Sequence, residues 1–407
     1  MTSTEQPTTV VGWLRDNARV IDSTEFDGTG TELATLTDRL GGATVVGLGE
    51  STRASRQTFG VRHRILRALV EEHGFRALAI QDTVRSGTQL DHYVRTGEGN
   101  PAQLLADAWR PWRTAEMVGA LDWIRGFNQL HPHDQVAIFG VNPTPASPAD
   151  YDLVLDHVRH FAPHRLAELE AHLLPIRTAH QIDEHVQRHQ GIHPGRPFVE
   201  HASDALALVE QLAPHEDSVR AAAARVLAFH RDSVAGRGSF AADERSAADI
   251  VIGQHRETGA KIAYWDGIGH TAASAARVGA TKQTLFRGAG EYLRAEFGAA
   301  YVSVAIGFHH GDLGSAIAPP PAPDLLDATL GTVELPAYYV DLSSAATEAV
   351  SGWLRGSAKA RTINGLYDPE ADAEANMTVD SLADAFDVLV HIRETSPPRW
   401  LAAFAPG

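Results

Sequence analysis

Glycine-flanked acids, amides and histidines recur directly after short apolar runs in this chain. They are Gly49-Glu50-Ser51-Thr52-Arg53, Gln81-Asp82, Gly140-Val141-Asn142, Asp266-Gly267-Ile268-Gly269-His270 and Gly307-Phe308-His309-His310-Gly311-Asp312. A carboxylate beside an imidazole can move a proton in either direction near neutral pH, and a guanidinium nearby can hold the anion that results. Glu50, His270 and Asp266 are therefore the catalytic candidates. Arg53 and Arg62 are the candidate anion holders, with Gln81, Trp109, Trp112, Glu116, Asn142, His309 and His310 as further substrate contacts.

Each of these has a plainer reading. Glu50 can stand just outside a helix capped by Ser51 or Thr52. Against that, Arg53 and Arg62 lie close enough in sequence to pair with it. Ser51 lacks the second glycine of a G-x-S-x-G elbow, which argues against a serine hydrolase. His270 can be a solvated loop residue, although the glycines around Ile268 let the backbone approach a ligand. Adjacent His309 and His310 should point to opposite sides of an extended chain, so only one of them is expected to face a pocket. Trp109 and Trp112 wall a pocket or fill the core, as Trp123 does.

The pair His185 and His189, with His180 and His193 nearby, has helical ligand spacing. It lacks the glutamate of H-E-x-x-H and a third ligand, so no metal is expected. No phosphate-binding or dinucleotide fingerprint is present, and no cofactor is expected.

The elements that must position these residues alternate. β-branched runs at 43–48, 76–80, 135–139, 261–265, 300–305, 337–342 and 386–392 read as strands. Amphipathic stretches at 53–73 and 115–127 read as helices, the first closed by Gly74. This pattern predicts an α/β fold of three layers, α/β/α, around a largely parallel or mixed sheet. Ligands in such sheets bind outside the carboxyl ends of the strands, where the polar residues fall. Residues 151–258 carry no strand signal and read as a helical insertion between the core segments 1–150 and 259–407. Its helices are expected at 166–176, 180–190, 201–212, 217–234 and 241–257.

The chain has 407 residues, a net charge of −16 and no cysteine. Disulfides, thiolate metal sites and cysteine nucleophiles are excluded. The negative balance argues against nucleic acid and membrane surfaces as partners and leaves a small-molecule substrate. No stretch reaches the ~18 apolar residues of a membrane helix, and no signal peptide is read, so a cytoplasmic protein is expected. Oligomeric state leaves no sequence signal here.

Taken together, the segments GLGEST (47–52) with Arg62, Glu116 with DWIRGFN (122–128), IFGVN (138–142), KIAYWDGIGH (261–270), GEYLRAEFG (290–298) and FDVLVHIRETSP (386–397) resemble the erythromycin esterase family over most of the chain. The resemblance implies an α/β/α sandwich with a helical insertion, a deep cleft and water-mediated opening of a macrolide lactone without a serine nucleophile. The family's first acid matches Glu50, and its helix arginine matches Arg62. Its general-base histidine falls on Arg53 and its strand-end glutamate on Gln81. The first histidine of its W-x-H-N-x-H segment falls on Gly267, while the second is retained as His270. Its aspartate after the third strand is Asn142. An arginine cannot act as a base near neutral pH. The expectation is a repurposed enzyme that cyclises, dehydrates or rearranges a polyketide-like natural product. A hydrolase with a relocated base and a non-catalytic ligand-binding or resistance protein are the alternatives.

Overall fold

A computed structural model describes residues 5–28, 31–142, 146–237, 243–279, 283–344, 347–363 and 367–402. Its strands in chain order are β1 Arg19–Val20, β2 Val45–Glu50, β3 Phe75–Thr83, β4 Ala137–Asn142, β5 Lys261–Gly267, β6 Ala276–Val278, β7 Thr284–Phe286, β8 Tyr301–Asp312, β9 Ile317–Ala318, β10 Ala337–Asp341, β11 Ala358–Arg361, β12 Asn376–Val379 and β13 Val388–Thr395. The central sheet runs β1-β10-β13-β8-β2-β5-β3-β4, with β9 on β8. From β13 to β4 every neighbour is parallel; β10 and β1 are antiparallel additions at one edge. The sheet is thus mixed and largely parallel, and all seven expected strands are in it. β11, β12, β6 and β7 form a second, antiparallel sheet whose strands of three or four residues carry too little periodicity to be seen in sequence.

Helices cover both faces. On one side Arg56–His73 and Ala115–Leu130 bury Phe59, Ile65, Leu66, Leu69, Met117, Leu121 and Ile124 against Val46, Leu48, Ile80 and Trp265. On the other, Arg245–Thr258 and Ala289–Phe297 bury Ala247, Ala248, Val251, Ile252 and Leu293 against Val45, Ala79, Ile262 and Tyr264. The helix expected from residue 53 begins at Arg56. Its cap is Ser55, whose Oγ accepts from Thr58 N at 3.1 Å, and neither Ser51 nor Thr52 caps it. Arg53 therefore sits on a loop. The helix ends at Gly74 in the left-handed conformation, φ 72°.

The chain divides into two compact units, 1–143 with 243–407, and 144–242. The expected insertion extended to 258. The helix Arg245–Thr258 belongs instead to the α/β unit, because its apolar stripe packs on the sheet. The second unit is helical, with Pro148–Phe161, Leu166–Arg177, Glu184–His189, Phe198–Leu212, Asp217–Asp232 and Val234–Arg237. Its core holds Tyr151, Val154, Leu169, Phe198, Leu208 and Val226. Tyr151 Oη lies 2.9 Å from His230 Nε2 and 3.1 Å from His180 Nε2. His193 is edge-on to Phe198; the side chains of His185 and His189 lie outside the described residues.

Candidate active site

Parallel register sets Glu50 of β2 beside Gly267 of β5, and Gly49 beside Asp266. Side chains alternate along a strand, so Glu50 follows Leu48 onto the face covered by Arg56–His73 and Asp266 follows Tyr264 onto the opposite face. Two carboxylates thus meet at the carboxyl edge of the sheet from its two sides. Arg53, on the loop above that edge, reaches both. Its Nε is 3.8 Å from Glu50 Oε1, and its Nη2 donates to Asp266 Oδ1 at 3.2 Å and to Gln81 Oε1. The Trp109 ring covers the guanidinium, 4.5 Å from centroid to Cζ.

Glu50 is 2% exposed and pairs with Arg62 Nη2 at 2.9 Å. Burial raises its pKa and outweighs the pull of Arg62 and Arg53. Arg62 has no exposed surface and lies among the rings of Trp265, Phe59 and Trp112, at 4.9, 5.1 and 5.5 Å. That corrects its sequence assignment as a substrate contact: Arg62 stands behind Glu50 and holds it.

Asp266 accepts from Tyr264 Oη at 2.5 Å and from Gly267 N at 2.6 Å. Burial raises its pKa, against the opposing pull of His270 and Arg53. His270 Nε2 is 3.8 Å from Asp266 Oδ1 and 3.4 Å from Gln81 Nε2. Its Nδ1 is 2.7 Å from Glu244 Oε1, a residue with no motif to announce it in sequence. Burial alone would push the imidazole down, but Asp266 and Glu244 outweigh it and its pKa is raised. The side chains of His270 and Arg53 are 22% and 20% exposed, whereas the carboxylates behind them are closed off.

Trp112 is buried and anchors β3 by donating Nε1–H to Gln81 O at 2.9 Å. Trp109 N donates to buried Asp82 at 2.8 Å. Glu116 is buried, and its carboxylate accepts from Arg399 N and Nε, each at 3.0 Å. Asn142 is half-buried at the end of β4, in register with Thr83 and two strands from β5. The rings of His309 and His310 were expected to diverge. Instead both are half-buried with their Nδ1 atoms 3.0 Å apart, and burial lowers His309 to about 4. Among the described residues no hydrogen bond or ion pair ties them to Glu50, Asp266 or His270. No group of three or more histidines and acids there has metal-binding geometry. No helix of the described residues is long and apolar enough to cross a membrane.

The model of the family described as erythromycin esterase matches residues 70–395. The chain belongs to that family. The match includes Gln81, Asp266 and His270 and begins after Glu50, Arg53 and Arg62, whose correspondence rests on the GLGEST segment. Among solved structures, a succinoglycan biosynthesis protein is similar at TM-score 0.66 and 20% identity, covering 98% of this chain and 100% of the other. A protein from Bacillus cereus is similar at 0.65 and 21%, covering 97% and 99%. A mutant of the erythromycin esterase EreC in its open conformation is similar at 0.58 and 15%, covering 92% and 97%. At these identities the likeness establishes the fold. Comparison with curated proteins gives no match.

Proposed function

We propose that this chain is an acid/base enzyme of the erythromycin esterase family that cyclises, dehydrates or rearranges a polyketide-like small molecule and does not hydrolyse it. The observation that carries the reading is Arg53 among Glu50, Gln81 and Asp266, where the family resemblance has its water-activating histidine. A guanidinium there cannot take a proton from water, and it suits an oxyanion. His270 is the proton carrier with open surface. Neutral Nε2 removes a proton beside a carbonyl, and the electron pair moves onto the carbonyl oxygen, held as an enolate by Arg53. The imidazolium returns that proton to a leaving hydroxyl, the C–O bond breaks and water departs. Without a leaving group the proton goes to a different carbon and the product is an isomer.

A second reading, hydrolysis with His270 as relocated base, is favoured by the carboxylate on its Nδ1, an arrangement that also suits a water-activating histidine. The test is a panel of macrolide lactones and open-chain polyketide esters followed by mass. Loss of water, or unchanged mass with altered retention, is expected. Gain of water would establish the hydrolase, and ligand recovered unaltered from a tight complex would establish a binder. Arg53→Lys should lose most turnover, because a point charge does not replace the planar fork.

A further inference from the structure

His270 is clamped from the side away from the cluster. Glu244 Oε1 takes its Nδ1, and Glu244 Oε2 accepts from Ala289 N at 3.3 Å, at the first residue of the helix Ala289–Phe297. The Glu244 backbone N donates to Arg287 O at 3.0 Å, so both ends of the residue are fixed. Phe286 meets the imidazole edge-on, with centroids 5.2 Å apart. An imidazole whose Nδ1–H donates to a carboxylate has its neutral tautomer decided, and its Nε2 is left as the lone-pair nitrogen. Here that nitrogen is the one facing Gln81 and Asp266.

We infer that Glu244 is the positioning residue of this site: it orients the His270 ring and selects the tautomer that presents Nε2 to the reacting atoms. The inference rests on the acid/base reading of the site. The charged groups facing His270 are Glu244, just before the helix Arg245–Thr258, Asp266 at the end of β5, and Arg53 on the loop after β2. Asp266 is committed to Tyr264 Oη, Gly267 N and Arg53, so it contributes field but does not grip the ring. Glu244 supplies both the grip and a negative charge, and the two can be separated by mutation. Glu244→Gln keeps an oxygen for Nδ1–H and removes the charge. Glu244→Ala removes both.

The test reads the imidazole itself in the full chain by ring nitrogen NMR with labelled histidine, the His270 signal being assigned by its loss in His270→Asn. In the wild type, neutral His270 should carry its proton on Nδ1. Glu244→Gln should retain that tautomer while protonation weakens about tenfold, one unit on the pH axis. Glu244→Ala should show mixed tautomers. Unchanged tautomer and unchanged titration in Glu244→Ala would overturn the assignment, and because Glu244→Gln is isosteric, a failure of the alanine variant to fold leaves the charge test standing. The readout needs no substrate, so its failure is distinct from failure of the proposed chemistry, which the product-mass assay decides.

Discussion

Arg53 and Gly267 share one volume: a Cβ on Gly267 would lie 3.0 Å from Arg53 Nη2, 3.1 Å from Nη1 and 3.0 Å from His270 Cδ2. The backbone of Gly267, at φ −74° and ψ 157°, is open to any residue, so glycine is required here for space and not for conformation. The two departures that the resemblance implies, at 53 and 267, therefore meet in one volume, which the Arg53 guanidinium borders. Gly267→Ala should push Arg53 or His270 aside. Turnover should fall by about tenfold to a hundredfold, as for a displacement of about 1 Å in a catalytic array. Steady-state rates of a variant whose melting temperature stays within a few degrees of wild type would check this; unchanged rates would mean the two side chains have slack.

The same coupling governs reversal. Arg53→His alone should not create a lactone hydrolase, because nothing fills the space that Gly267 leaves open. Arg53→His with Gly267→His installs the histidine pair that the resemblance implies, although Gln81 still stands where the resemblance has a glutamate. The double variant is expected to open a macrolide lactone faster than either single one, measured as gain of water by mass. Equal rates in all three would disconnect these positions from hydrolysis.

Arg62 and Glu50 make a buried pair at 2.9 Å, and removing one partner strands the other. Arg62→Met should cost about 3–5 kcal/mol in chemical denaturation. Adding Glu50→Gln should recover a large part of that loss, since the uncompensated carboxylate is then gone. Additive losses in the double variant would show that packing among Trp265, Phe59 and Trp112 matters more than the charge pair.

The strands were legible because β-branched runs bounded by glycine and polar residues coincide with β2, β3, β4, β5, β8, β10 and β13. The edge residues followed from them, since a parallel sheet brings its strand ends to one side. What stayed hidden depends on contacts distant in sequence. Glu244 lies 26 positions before His270, inside what reads as one more amphipathic helix. Ser51 and Thr52 imitate the cap that Ser55 provides, so Arg53 read as helical when it is the loop residue that bridges both carboxylates. Glu116, at a helix start, offers no sign that its partner is Arg399, 283 positions later.

Glu116 holds the segment at Arg399 by accepting from its backbone N and its Nε. Glu116→Ala should lower stability by about 1–3 kcal/mol, the cost of leaving buried groups unpaired. Turnover per folded molecule should stay near wild type. A raised KM at unchanged stability would return Glu116 to the substrate-binding residues.

In acid the buried histidines of this protein should act against folding. Burial lowers His63, His230 and His391 to about 3 in the folded chain, against 6.5 when unfolded. Below pH 6.5 the unfolded state binds protons that the folded state refuses, so stability falls as pH falls, by about 1.4 kcal/mol per pH unit for each histidine, down to the folded value. Asp327, raised by burial to about 6, works in the opposite direction: between its ordinary value and about 6 the folded state binds its proton more tightly. Glu50, Asp82, Glu184 and Asp266, also raised by burial, act as Asp327 does, and His309, lowered to about 4, acts as the three histidines do, so the histidine contribution is isolated by substituting one of them. His391 gives the sharpest check, because it is fully buried beside Tyr338 and His309 and, among the described residues, neither ring nitrogen has a hydrogen-bond partner. His391→Leu matches its size and removes its titration. From pH 7 to pH 5 the melting temperature of wild type should fall relative to that of His391→Leu, which should not lower the midpoint at pH 7. Parallel curves for the two proteins would show that His391 takes up its proton in the folded state as readily as in the unfolded one.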